Sequence, residues 1–293
     1  MLSRPSPRSL VAPLGLAVGL TSLGLLIGSP FAAGATHARA ATTSPQHRSA
    51  MSTTTRGAEW LQYGVPRVGK SCVYSLHFSV PTLSERATMT RRAVSSTTSK
   101  RGLSILVTEH EVGAITTSGK TVHVDISDTV TYLLRKDGTM GLRPDATTAS
   151  GLTLSPLNYE NIPAVSALKS GGPFFGVIKA QLTPTSRATK KALDPILLDV
   201  REPITLAIDY RVTNVKPLFA VALAAGRFSD VIGYRIKVTG LTTGNVTRAA
   251  QGQLDAALQG LYARFDQTIF YAKNIGMIED VGTSLTKKLL HCS

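Results

Sequence analysis

Cysteine is nearly absent: the 293 residues contain two. That excludes a disulfide-dense miniature scaffold and a four-cysteine zinc site. Acids are scarce, 18 against 32 Lys and Arg, and there is a single Trp. No G-x-S-x-G occurs, which removes the usual serine-hydrolase elbow. Charged residues make up 17% and hydrophobic residues 43% of the chain, which excludes disorder along its whole length.

Charge is missing altogether from Ser9 to Thr36. A basic start at Arg4 and Arg8, this apolar run, and Ala38-Arg39-Ala40 before Ala41 read as a Sec-type signal peptide over 1–40. The alternative is an uncleaved membrane anchor, because the run exceeds the roughly 20 residues a membrane helix needs. No Cys lies near the cleavage region, so lipoprotein attachment is not expected there. The expected location is secreted or on the outer face of the cell envelope. Removing 1–40, with its three arginines and no acid, leaves 253 residues at a net charge of +11. Residues 41–58 are rich in Ser and Thr and read as a disordered linker. A single domain is expected over 59–293.

What is present is alternation. Cys72, Tyr74, Leu76, Phe78 and Val80 face one way, against Ser71, Ser75, His77 and Ser79. The same period of two runs through 122–126, 130–134, 204–212 and 232–238. Successive side chains of a strand point to opposite faces, so these are strands with one dry and one wet face. That pattern belongs to antiparallel sheet. Lys136-Asp137-Gly138-Thr139 predicts a hairpin turn between 130–135 and 140–143, and Ser118-Gly119 a second turn. Helical spacing is confined to 249–265 and to a short segment, 162–169, that stops at Gly171-Gly172. Residues 144–200 read as loop-rich. The expected fold is mainly β (α+β): a strongly curved antiparallel half-barrel covered by one or two short helices. Tyr74, Leu76, Phe78, Tyr210, Tyr234 and Phe270 are the candidates for lining a cavity on its concave face.

Two late segments carry a resemblance. In 218–240 a strand leads through Ala-Gly-x-Phe into a second strand, and in 267–282 an aromatic strand leads through Tyr-Ala-x-x-Ile-Gly into another. Through Gly226, Phe228, Tyr271, Ala272, Ile275 and Gly276 the chain resembles bacterial exported proteins with a LolA-like or TapB-like curved half-barrel. The family mostly has no assigned activity. Its better-known half-barrels bind lipid chains or sense envelope state, so the resemblance implies an apolar ligand. The helix at 249–265 departs from the pattern.

Cys72 and Cys292, in an exported chain, suggest a disulfide; two separate thiols are the alternative. Gly119-Lys120-Thr121 has Ala114 where a phosphate-binding loop needs Gly, and His110-Glu111 has Ala114 where a zincin needs His. His110, His123 and Asp125 could meet on paired strands, and Asp209 could meet Asp230; solvated faces are the plainer reading. No cofactor, metal or nucleic-acid partner is expected, and the chain reads as a non-enzyme. The basic pairs Arg91-Arg92, Lys100-Arg101, Lys190-Lys191 and Lys287-Lys288 read as surface charge. Two functions remain: binding a lipid or other apolar ligand on the concave face, or attachment to an anionic wall or membrane surface without a small ligand. Asn245-Val246-Thr247 fits a glycosylation acceptor.

Overall fold

The structure is a computed structural model that describes residues 58–64, 67–80, 83–117, 120–149, 152–215, 221–252 and 266–293. The expected signal peptide, nearly all of the linker and the Ser118-Gly119 turn lie outside the described residues. So does most of the 249–265 helix, of which 249–252 is described and helical.

Fourteen strands form one antiparallel sheet. Its centre is a run of long hairpins: β1 (Ser71–Val80), β2 (Leu83–Ser99), β3 (Gly102–Thr117) and β4 (Lys120–Arg135). β5 (Met140–Pro144) and β8 (Glu160–Ile162) extend it to one end. On the other side of β1 come β16 (Leu285–Cys292), β15 (Gly276–Gly282), β14 (Gln267–Ala272), β13 (Val231–Gly244), β10 (Ile204–Val215) and β9 (Phe174–Pro184). β7 (Leu152–Pro156) and β6 (Thr147–Ala149) finish that end. A separate hairpin joins β11 (Val221–Leu223) to β12 (Gly226–Phe228). The first and last of the long strands, β1 and β16, lie side by side, and this brings Cys72 opposite Cys292. The two are bridged.

The sheet curls without closing. Tyr210 on β10 reaches Asn161 on β8, donating to its carbonyl at 3.0 Å and accepting from its N–H at 2.6 Å. Gly176 makes this reach workable, because the Tyr210 ring occupies the space a Cβ there would need. The KDGT turn forms as expected: Gly138 takes φ 88°, and Asp137 Oδ1 accepts from the Thr139 N–H at 2.9 Å. Short helices among the described residues include α1 (Ala58–Tyr63), α2 (Val165–Ser170) and α3 (Arg187–Leu193). α2 ends where Gly171 adopts a left-handed cap, φ 86°.

Residues 144–200 are not loop-rich. They supply β6 to β9 and so both ends of the sheet. β6 and β8 have three residues each, too few for alternation to register.

The main core lies on the concave face, with α1 and α2 against it. Trp60 of α1 is its plug. Its ring meets Tyr234 and Tyr271 edge-on, with centroids 6.2 and 5.5 Å apart, and its Nε1–H donates to the Pro163 carbonyl at 3.0 Å. A second cluster gathers Leu152, Leu182, Leu193, Ile204 and Leu206, and a third gathers Leu76, Phe78 and Leu285.

Candidate functional site

The concave face carries charge in its interior. On β2 the inward positions include Met89, Arg91 and Ala93; on β3 they include Val107, Glu109 and Glu111. On β16, Lys287 lies inward between Leu285 and Leu289, and it faces Asp280 of β15 across the sheet. Glu85 is buried as well. Two of the basic pairs are thus not surface charge. A strand splits adjacent residues between its faces, so Arg92 and Lys288 are outside while Arg91 and Lys287 are inside.

Arg91 organises this interior. Its Nε lies 2.5 Å from Glu109 Oε1, and its Nη2 donates to the Tyr132 hydroxyl. The guanidinium sits 5.9 and 5.6 Å from the ring centroids of Tyr74 and Tyr132. The Tyr74 hydroxyl donates to the Met277 carbonyl at 2.9 Å. The Tyr234 and Tyr271 hydroxyls lie 3.2 Å apart above stacked rings.

Burial acts on four of the acids, Glu109, Glu111, Glu160 and Asp280. It raises Glu109, and Arg91 opposes the rise. Glu111 is pushed up to about 8, first by burial and then by the neighbouring Glu85. Glu160 is pushed up to about 7 by burial and by Asp280. Asp280 is itself pushed up to about 6 by burial, against the pull of Lys287. Burial lowers Lys287, and Asp280 opposes the fall. An ion kept from water favours its neutral form unless a partner repays the lost hydration.

Between Arg91, Tyr132, Glu160, Tyr210, Tyr234 and Tyr271 remains a cavity of about 60 Å³. That is room for a few water molecules. Small-molecule pockets begin at roughly 300 Å³. Of the residues expected to line a cavity, Tyr210 and Tyr234 border this one. Tyr74 belongs to the same core, while Leu76 and Phe78 sit in the third cluster. Phe270 is half-buried, packs against the edge of the main core and lies over Gly233 rather than at the cavity.

A second hollow of about 310 Å³ lies between α3 and the ends of β9 and β10. Its walls include Leu182, Leu193, Leu197 and Ile204, and its rim carries Lys190, Arg201 and Glu202. Arg201 is occupied by Asp199, at 2.9 Å.

The other candidates disperse. His110 meets Asp125 at 2.8 Å on the exposed face, but His123 stands opposite Ala114, further along β4. No group of three or more His, Cys, Asp or Glu able to hold a metal occurs among the described residues. Asp209 lies opposite Gly240, near one end of β13. Asp230 precedes the other end and accepts from the Tyr63 hydroxyl at 2.6 Å, so the two acids do not meet. The Asn245 amide donates to the Asp199 and Glu202 carbonyls at 2.9 and 2.7 Å, and a glycan on that nitrogen would replace one of its two N–H donors.

Tyr271 and Ala272 end β14, Ile275 lies in the turn that follows, and Gly276 opens β15 at φ 106°, with a bulge beside Tyr271. Gly226 opens β12 at φ 132°, and Phe228 packs against the main core.

No family model and no curated protein matches the chain. Two solved structures are similar to it. One, from Bacteroides fragilis, is described as a candidate exported protein with a YmcC-like fold: TM-score 0.41, 12% identity, 79% of this chain and 99% of that one. The other, from Parabacteroides distasonis, is described as a candidate lipoprotein: TM-score 0.40, 12% identity, and the same coverage of 79% and 99%. Neither is described as LolA-like or TapB-like. Among the described residues, no helix is long and apolar enough to cross a membrane.

Proposed function

We propose that this chain is an exported, non-catalytic cell-envelope protein that attaches through its basic surface to anionic envelope material. The observation that carries this reading is the filled concave face. Trp60, five fully buried tyrosines and a paired ionic cluster occupy the space an acyl chain would need, and about 60 Å³ remains. The net charge of +11 after loss of residues 1–40 supplies the attraction. Carriage of a lipid or other apolar ligand on the concave face is the second reading, and it needs Trp60 to leave.

The test is co-sedimentation of the mature chain with isolated envelope over a range of salt, with native mass spectrometry of the purified protein. Surface attachment gives binding at low salt that is released as ionic strength rises, because exposed charges are screened beyond about 10 Å at 0.1 M. The mass is then that of the bare chain. A stoichiometric lipid released by solvent, or no binding at low salt, overturns the reading.

A further inference from the structure

The outward positions of β9, β10 and β13 break two local rules on one rung. Phe175 on β9 stands opposite Arg211 on β10, and Arg211 stands opposite Lys237 on β13. Like charges set directly across a strand pair repel and destabilise the sheet. Phe175 is 64% exposed, with Val177 exposed two residues further along β9, on a face otherwise rich in Thr and charge. The Arg211 guanidinium leans on this ring, 5.8 Å from its centroid.

The surroundings do not cancel the charge. Lys179 lies on the same face, opposite Ala207, and Arg235 stands opposite Thr213. Asp266 is taken by Arg235, at 2.6 Å from its Nε, although Lys237 also acts on that carboxylate. Asp209 lies over Gly240. Lys179, Arg211, Arg235 and Lys237 therefore face Asp209 and Asp266, an excess of two positive charges.

We propose that the rung Phe175–Arg211–Lys237 binds a phosphate-bearing polysaccharide, an inference that rests on the surface-attachment reading above. The open face of Phe175 packs against the C–H face of a sugar ring. Arg211 presents a planar fork to a phosphodiester, and Lys237 adds a point charge beside it. Neighbouring strands are about 4.8 Å apart, so the three side chains span roughly 10 Å in a line across the sheet. A line of this kind suits an extended polymer. A bilayer would instead require a broad apolar face to sink into its surface, and Thr205, Thr213 and Thr239 interrupt this one. An anion between Arg211 and Lys237 relieves the repulsion that the empty rung carries.

The experiment uses the mature chain and three probes: a polymer of hexoses joined by phosphodiesters, the same polymer with its phosphate removed, and phosphatidylglycerol vesicles. Phe175→Thr, Arg211→Thr and Lys237→Thr are compared with Arg86→Thr, which removes one exposed charge from the same convex face elsewhere. Arg211→Thr and Lys237→Thr each weaken binding to the phosphorylated polymer by roughly tenfold, the value of one charge-assisted contact, and Phe175→Thr weakens it through the lost ring packing. Arg86→Thr changes it by less than about threefold, and the neutral polymer binds poorly to every form. Lys237→Thr keeps or raises the Tm, since it removes a repulsion. Equal losses in all variants, or a clear fall in the Tm of Lys237→Thr, overturn the rung and leave surface attachment standing. Binding to vesicles alone also overturns the rung. Binding to none of the probes or to envelope overturns both readings.

Discussion

Arg91 and Glu109 stand opposite each other on β2 and β3, 2.5 Å apart from Nε to Oε1 and both buried on the concave face. Neither is tolerated there alone. Arg91→Leu leaves a buried acid, and Glu109→Leu leaves a buried guanidinium. Each single change costs roughly 3–5 kcal/mol, whereas replacing both with apolar residues costs less than the sum. Urea unfolding of the two singles and the double closes the cycle. A double variant as unstable as the sum of the singles would show that the pair does not act as a unit.

The remaining acids set a pH dependence whose sign follows from their direction. Glu111, Glu160 and Asp280 all hold their protons to higher pH in the folded chain than in the unfolded one. Folding then binds protons between the unfolded and folded values, so the stability these groups contribute is complete in mild acid and is lost as pH rises. For Glu111 the window runs from 4.5 to about 8. Lys287, lowered by burial, works in the opposite direction. Glu111→Gln isolates one contributor. Its Tm should fall less between pH 5 and 8 than the wild-type Tm does. Parallel curves would mean that Glu111 titrates normally.

These charges were within reach of the sequence. The alternation that marks β2 as a strand puts Arg91 in phase with Met89 and Ala93, and Arg92 out of phase. Reading the two arginines as one surface pair ignores that phase. Lys287 between Leu285 and Leu289 carries the same signal. Trp60 was less legible, because one aromatic beside a linker does not say which face it will cover. The rung of Phe175, Arg211 and Lys237 could not be read at all. It depends on β9, β10 and β13 being neighbours in a given register, and their residues are far apart in the chain. Strand order is a property of the whole sheet, whereas period-two patterning is local.

Trp60 closes the concave face from a helix of six residues. So short a helix has little stability of its own, and packing holds it in place. Trp60→Ala should cost roughly 3–5 kcal/mol and leave an enlarged cavity against Tyr234 and Tyr271. The variant should take up an apolar fluorescent dye that the wild type excludes. If the wild type takes up the dye equally well, the concave face is open in solution and apolar-ligand carriage regains its footing.

The bridge between Cys72 and Cys292 ties β1 to β16 across a sequence separation of 220. The chain-entropy model assigns about 5 kcal/mol to closing so long a loop in the unfolded state. Cys72 is buried, so a reductant meets the bridge mainly when the β1–β16 seam opens. The oxidised protein should resist mild reductant while folded and lose the bridge quickly once urea exposes it. Cys72→Ala/Cys292→Ala should lower the urea midpoint by several kcal/mol in equivalent stability, with the far-ultraviolet β signal of the folded form retained. Loss of that signal in water would mean that the seam needs its covalent link to form, because β1 and β16 join the two halves of the sheet.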